Sequence, residues 1–356
     1  MKSSKNKNLS FAGEHFFIGI DTHLKNWRVT IRLDGIELKT YSMNPSPLEL
    51  FNYLKKNYPE GIYHLVYEAG FCGFWPYRKF KELGLDCIIV NPADVPTSNK
   101  EKVNKNDPID SRKLARELEN KSINGIYIPD SFNEELRSLV RARFHVIQNQ
   151  TRIKNRIKSL LHTRGITIPL NFAGNSRWSA AFILWLKEIK LNTEAGNFTL
   201  QNMILQLQQL REHNKNVLRE LRKQTAKNSV IKSLLTVPGI GFITAITLYS
   251  EIVDMKRFSN QAKLAAFVGL VPSTRSSDDT VYSNGISFRR NKFLRPIMIE
   301  AAWTAIKRDP AMTYKYKELS KRMKSQDAIV RIARKLIQRV RHVWLNNEDY
   351  TFSLVA

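Results

Sequence analysis

The order in which hydrophobic periods follow one another most restricts how this chain can fold. From Phe16 to Val90 five short apolar or alternating runs recur: FFIGID, WRVTIRL, IELKTYSM, YHLVYEAG and LDCIIV. Alternation with a period of two marks strands. The Asp34-Gly35 turn joins the second run to the third as a hairpin, so the first three predict a meander. SPLELFNYLKKN, with Pro47 at its opening, and FWPYRKFKEL then predict helices between the later strands.

After Pro129 the period becomes helical. NEELRSLVRARFHVIQNQTRIKNRIKSLLHTRG carries a one-sided stripe from Leu136 and Val140 to Leu160 and Leu161, and the run from Phe198 repeats it. Two such helices predict an antiparallel hairpin. From about residue 228 the pattern stays mostly helical, with one long loop expected between Pro272 and Ser287. The expectation is thus α/β followed by all-α. A flexible polar arm covers residues 1–14, an α/β domain 15–125, a helical coiled-coil connector 126–227 and a mostly helical domain 228–356. A meander followed by strands alternating with helices is the ribonuclease H-like order.

Charge narrows the partners. Lys+Arg number 57 against 32 Asp+Glu in 356 residues, a formal net charge of +25. Such an excess implies a polyanion, either nucleic acid or an anionic membrane. No run of about 18 apolar residues appears, and MKSSKNKNLS is basic but followed by no apolar segment. Nucleic acid is left, with no membrane role. Cys72 and Cys87 show no CxxC spacing and read as reduced thiols of a cytoplasmic protein.

Four acids stand out against this background. Asp21 ends the first strand, Glu68 ends the fourth, and Asp107 and Asp110 open a helix after the fifth. Residues i and i+3 share a helix face, and strands one and four are neighbours in a ribonuclease H-like sheet. Four carboxylates gathered at one edge repel one another unless a divalent cation neutralises them. Oxygen donors suit Mg²⁺ or Mn²⁺, and two-metal sites of this kind clamp the attacking and leaving oxygens of a phosphodiester. The plainer reading makes Asp107, before Pro108, an N-cap and Asp110 a carboxylate favoured by the helix dipole.

Cations cluster in three places. Residues 141–165 hold Arg141, Arg143, Arg152, Lys154, Arg156, Lys158 and Arg164 without an acid, which favours phosphate contact over a solvated face. Residues 280–299 hold Arg289, Arg290, Lys292 and Arg295, again without an acid. VPGIGFITAITLYSEI places Gly239 and Gly241 in a turn before an apolar helix. It is either a helix-hairpin-helix-like element meeting a phosphate with backbone N–H groups or an ordinary helix–helix turn. Between these, GLVPSTRSSDD offers Ser273, Thr274, Ser276 and Ser277, among which local chemistry does not choose.

The pieces FIGIDTHLKNWRVTI, YEAG, IIVNPADV, KNDPIDSRKLAREL, LLTVPGIGFITAITLYSEIVDMKRFSNQAKLAAFVGLVPSTRSS and FRRNKFLRPIMIEAAW together resemble the insertion-sequence DEDD transposases, a family described as bridge-RNA-guided serine recombinases. The resemblance spans nearly the whole chain in unchanged motif order. It implies a RuvC-like N-terminal domain, a coiled-coil connection and a C-terminal transposase domain. It also implies an acidic metal-binding tetrad at Asp21, Glu68, Asp107 and Asp110, and a nucleophilic serine five residues past Pro272, at Ser277. Where the family usually has glycine after that serine, this chain has Asp278, and Ser276 is the second candidate. The partners implied are donor and target DNA, a structured guide RNA that selects them by pairing, and further copies of the chain in a dimer or tetramer. Two other readings use the same residues. One is a metal-dependent, structure-specific nuclease of Holliday-junction type with no covalent intermediate. The other is a non-catalytic nucleic-acid-binding relic.

Overall fold

Five strands form one sheet: β1 (His15–Thr22), β2 (Trp27–Leu33), β3 (Ile36–Met43), β4 (Ile62–Glu68) and β5 (Asp86–Val90). Their order is β3-β2-β1-β4-β5. The first three pair antiparallel, while β1 with β4 and β4 with β5 pair parallel. That is the meander-then-crossover order anticipated from the sequence. The computed structural model describes residues 10–96, 107–174, 177–277, 280–286 and 291–352, excepting the side chains of 107–109, 272–277 and 280–286. Most of the N-terminal arm, the side chains of Asp107, Ser276 and Ser277, and all of Asp278, Arg289 and Arg290 therefore lie outside the described residues.

The chain divides into two compact units, Met1–Ile128 and Pro129–Ala356. In the first, alternate residues of the central strands feed opposite faces of the sheet. Phe16, Ile18, Ile20, Leu65 and Tyr67 point into a core shared with Leu50 and Leu54 of α1 (Pro47–Asn57) and Phe80 of α2 (Trp75–Glu82). Val66 and Val90 point the other way, against Leu114 of α3 (Asp107–Glu119). Each such buried aliphatic side chain contributes about 1.5–3 kcal/mol. Beyond α3 the chain returns along β5, where the Ile126 N–H donates to the Ile89 carbonyl at 2.7 Å.

The second unit is built on two long helices, α4 (Ser131–Thr163) and α6 (Glu194–Thr225), with α5 (Ala180–Glu188) between them in sequence. Asp130 caps α4 by accepting from the Asn133 N–H at 2.7 Å. The pair runs antiparallel, as its two cores require. Near one end, Leu136 and Val140 meet Val217 and Leu221 in a core built mainly from the later helices. Toward the other, Ile153, Ile157 and Leu161 meet Leu200, Ile204 and Leu207 with Phe182 and Leu186 of α5. Between the cores the buried Gln150 amide donates to the Leu210 carbonyl at 3.0 Å, which fixes the register of the pair.

Among the described residues the unit has six further helices: α7 (Ser229–Thr236), α8 (Phe242–Ile252), α9 (Gln261–Val268), α10 (Leu294–Arg308), α11 (Pro310–Ser320) and α12 (Ser325–Asn346). One expectation is corrected here. The stretch after Pro272 is not a long loop but a two-stranded antiparallel ribbon of β6 (Pro272–Ser277) and β7 (Thr280–Ile286). The run TVYSNGI carries the β-branched and aromatic residues that suit a pleated surface.

Candidate functional site

Backbone pairing brings the first two acids together. In the parallel β1/β4 ladder Ile20 stands opposite Tyr67, so Asp21 and Glu68 are the next residues along both strands. Asp21 also stands opposite Arg28 of β2, and its Oδ2 lies 3.0 Å from His23 Nε2. Cys72, in the turn after Glu68, places its Sγ 3.4 Å from the hydroxyl of Thr22. The ends of β1 and β4 and the turn after β4 therefore share one edge of the sheet.

Gly19 positions the third acid. A Cβ built there would stand 2.1 Å from the Ser111 carbonyl and 2.5 Å from the Ala115 N, so the α3 backbone lies directly on β1. Ser111 fixes the contact with a buried hydroxyl pair to Thr30 at 2.9 Å, and Thr30 stands opposite Gly19 in the ladder. At the other end of α3, Glu119 accepts from Arg32 Nε and from the Gly35 N–H, both at 2.6 Å. Arg32 stands opposite Phe17, on the far side of Gly19 from Asp21. The helix thus runs antiparallel to β1, and its first turn, with Asp107 and Asp110, extends toward the edge of Asp21 and Glu68. Topology brings the four positions to one end of the sheet. Among the described residues no group of three or more His, Cys, Asp or Glu is placed to hold a metal ion, and the Asp107 side chain lies outside them. The available donors are carboxylate oxygens, which fit a hard divalent cation. Sequence reasoning passed over Gly19 and His23, although a glycine inside an apolar strand is itself a sign of close backbone approach.

The cations of α4 separate into two sets. Arg141 forms a two-pronged pair with Glu251 of α8, Nε–Oε1 at 2.7 Å and Nη2–Oε2 at 2.8 Å, and packs over the Phe293 ring. Glu251 is buried and also accepts from Asn291 Nδ2 at 2.9 Å, so this half-exposed guanidinium is committed to a buried partner within the protein. Arg143 is half-buried, and burial lowers its pKa. Arg152 and Arg156 are exposed and line a groove of about 410 Å³ with Gln206, Gln209 and His213 of α6. Lys154 lies over Trp178, and burial together with Arg211 pushes its pKa down. Two like charges held so close favour an added anion.

The Val237–Gly241 turn connects α7 to α8 as the sequence suggested, but its two glycines differ. Gly239 has φ +90°, and a Cβ there would meet the Ala301 carbonyl at 2.4 Å and the Ala305 N at 2.9 Å, so it seats the turn on α10. Gly241 is the N-cap of α8 with nothing within 4 Å of a Cβ. Of the two, only Gly241 leaves room for a backbone-bound phosphate.

Ser277 ends β6 opposite Thr280, and Ser276 stands opposite Val281. Lys292 is exposed with its Nζ over the Phe293 ring, and Arg295 donates to the Gly269 carbonyl.

A mixed sheet with acids at one edge, followed by a basic, largely helical unit, is the arrangement that joins a DEDD domain to a helical transposase domain. Residues 18–164 match the DEDD transposase domain of IS110 elements, and residues 231–317 match the domain described as the transposase IS116/IS110/IS902 family. The chain carries IS110/IS116-family DEDD transposase domains. Similar proteins include y4qE of Sinorhizobium fredii, a transposase by name, at 29% identity over 68% of this chain and 58% of that protein. The transposase for insertion sequence element IS1111A of Coxiella burnetii is 27% identical over 67% of this chain and 64% of its own length. The transposase for IS1533 of Leptospira borgpetersenii is 25% identical over 68% and 71%. The aligned region thus spans less than two thirds of the length of y4qE and of the IS1111A transposase. No helix among the described residues is long and apolar enough to cross a membrane.

Proposed function

We propose that this chain is an insertion-sequence transposase that cuts and rejoins DNA, with Ser277 as nucleophile and Asp21, Glu68, Asp107 and Asp110 as a metal-binding tetrad. The observation that carries the reading is the antiparallel docking of α3 on Gly19, which directs Asp107 and Asp110 toward the strand ends bearing Asp21 and Glu68. A bound Mg²⁺ or Mn²⁺ would neutralise these carboxylates and polarise a phosphodiester oxygen. The Ser277 hydroxyl gives up its proton as its oxygen bonds to phosphorus, and a sugar oxygen leaves carrying a proton. The resulting phosphoserine keeps the phosphodiester energy, so the strands rejoin without another energy source. Arg152, Lys154, Arg156 and Lys158 hold the nucleic-acid backbone. A structured RNA selects donor and target by pairing, and the chain acts as a homo-oligomer in the cytoplasm.

The test is recombination with the noncoding RNA encoded beside the gene, followed by mass spectrometry of adducts trapped on a nicked substrate. Wild-type protein should give an adduct on Ser277 and recombinant junctions, and Ser277→Ala neither. Asp107→Asn and Asp110→Asn should each abolish cleavage while nucleic-acid binding persists. An adduct on Ser276 would move the nucleophile. Cleavage with no adduct would make the protein a nuclease. Wild-type recombination by both acid variants would remove the tetrad.

A further inference from the structure

The last helix carries a cation set that the proposed chemistry does not use. α12 holds Arg331, Arg334, Lys335, Arg339 and Arg341 against one acid, Asp327. Two of these cations have structural partners. Arg339 pairs with the buried Asp309 and reaches Tyr350, and Arg341 donates to the Phe258 carbonyl. Arg331 and Arg334 are exposed and have no ion-pair or hydrogen-bond partner among the described residues. Lys335 is exposed within electrostatic reach of Glu318.

These three cations line one side of a groove of about 1260 Å³. Leu270, Ile299 and Val330 give it apolar lining, and Trp303 lines it as well, half-buried and held edge-on against Tyr316 at 5.6 Å. Arg295 lines it too, its guanidinium anchored to the Gly269 carbonyl, and among the described lining residues Asp327 is the one carboxylate. Val271, another lining residue, leads directly into β6.

Size and chemistry together select the occupant. The volume exceeds the roughly 300–1,000 Å³ of ordinary small-molecule clefts, which favours part of a polymer. Exposed, unpaired guanidiniums call for phosphates, while a held indole among apolar lining residues suits the face of an unstacked base. A duplex offers its phosphates on a convex surface and keeps its bases stacked inside, so it would leave the apolar lining empty. We propose that this groove binds a few nucleotides of single-stranded nucleic acid, with phosphates on Arg331, Arg334 and Lys335 and a base against Trp303. The inference rests on the proposed action on nucleic acid and assigns part of it to residues other than the serine and the acids.

The test is fluorescence anisotropy of the full chain with a labelled 12-nucleotide thymidine strand and, separately, a 12-base-pair duplex, across a range of salt. Arg331→Gln with Arg334→Gln alters only exposed side chains and should weaken the single strand at least tenfold. Its salt slope should flatten by about 1.4, two contacts at about 0.7 each, with duplex binding unchanged. Trp303→Phe keeps an aromatic ring against Tyr316 and should also weaken the single strand selectively. Unchanged single-strand affinity in both variants would overturn the proposal. So would an equal loss on duplex, which would mean an ordinary backbone-binding face, or a change of oligomeric state by light scattering, which would mean a second copy fills the groove. The readout is independent of cleavage: oligonucleotide affinity is measured without recombination, so loss of single-strand binding in these variants and loss of the serine adduct are scored separately.

Discussion

Thr30 and Ser111, both wholly buried, bring their hydroxyl oxygens within 2.9 Å and tie the second strand to the helix that carries Asp110. The bond lies beside Gly19, where backbone meets backbone, so the placement of the acidic edge depends on a glycine and a hydroxyl that touch no substrate.

Gly19→Ala is therefore expected to act on the site from a distance. Its methyl would need to displace α3, an overpacking cost of about 1–3 kcal/mol. Chemical denaturation should show that loss, and cleavage should fall further than stability alone explains because the helix bearing two acids moves. Ser111→Ala loses its hydrogen bond to Thr30, about 1 kcal/mol, while Thr30 keeps its partner Thr40 at 2.8 Å. It should retain most activity.

Arg141→Ala should behave as a stability variant. It leaves the buried Glu251 with Asn291 as its remaining side-chain partner among the described residues; because Arg141 itself is 40% exposed, the loss should be about 1–3 kcal/mol, the cost of an under-satisfied buried acceptor. Replacing both partners by Met and Leu should recover much of that in a denaturant titration. If Arg141→Ala instead lowers nucleic-acid affinity with an unchanged midpoint, the pair is not structural.

The other α4 cations should report on nucleic acid. Neutralising Arg152, Lys154, Arg156 and Lys158 together should flatten the slope of log K against log salt for duplex DNA by up to about 3.6, at about 0.9 per contact. An unchanged slope would show a merely solvated face.

The two glycines of the α7–α8 turn should part company. Gly239→Ala combines a positive φ with a clash against α10 and should lower the melting temperature by several degrees, at about 2–4 °C per kcal/mol for a unit of this size. Gly241→Ala enters open space and should melt as wild type does. A loss of DNA affinity confined to Gly241→Ala would locate a phosphate contact at that cap.

Away from the acidic edge, Asp86 accepts from Lys81 at 2.9 Å and from His64 at 3.0 Å, and these bonds hold its pKa below the ordinary carboxylate value. Because the folded value is the lower one, the stabilisation is full above the unfolded pKa and disappears as pH falls through the folded one. Asp86→Asn should cost up to about 1 kcal/mol at neutral pH, as befits an exposed cluster. The two unfolding midpoints should converge once the pH drops below the carboxylate range.

What could be read from the sequence was what local pattern encodes. Period-two runs located the strands, the long stripes located α4 and α6, and the strand ends at Asp21 and Glu68 were legible because strand ends are local features. Contacts between distant residues were not legible. Arg141 stood in an acid-free run, yet its partner Glu251 lies 110 residues away. The significance of Gly19 appears only once Ser111 and Ala115 are laid across it. The ribbon after Pro272 was hidden by its hydroxyls and arginines, which resemble a loop until TVYSNGI is counted as a strand. The unpaired cations of α12 could be told from the anchored ones only when Asp309 and the Phe258 carbonyl were in place.

Glu251 also makes the second unit a lever. Gln150 locks the long helices against sliding, so the pair behaves as a stiff strut whose 33-residue member spans about 50 Å. At its root Arg137 grips the Ser250 carbonyl and Arg141 grips Glu251. The same carboxylate holds Asn291, whose side chain in turn accepts from the Phe293 and Leu294 N–H groups at the start of α10. A sideways force applied along the strut, where Lys154 and Arg211 crowd together, is therefore delivered in part through that carboxylate to the point where the chain enters α10, a few residues after the serine ribbon ends.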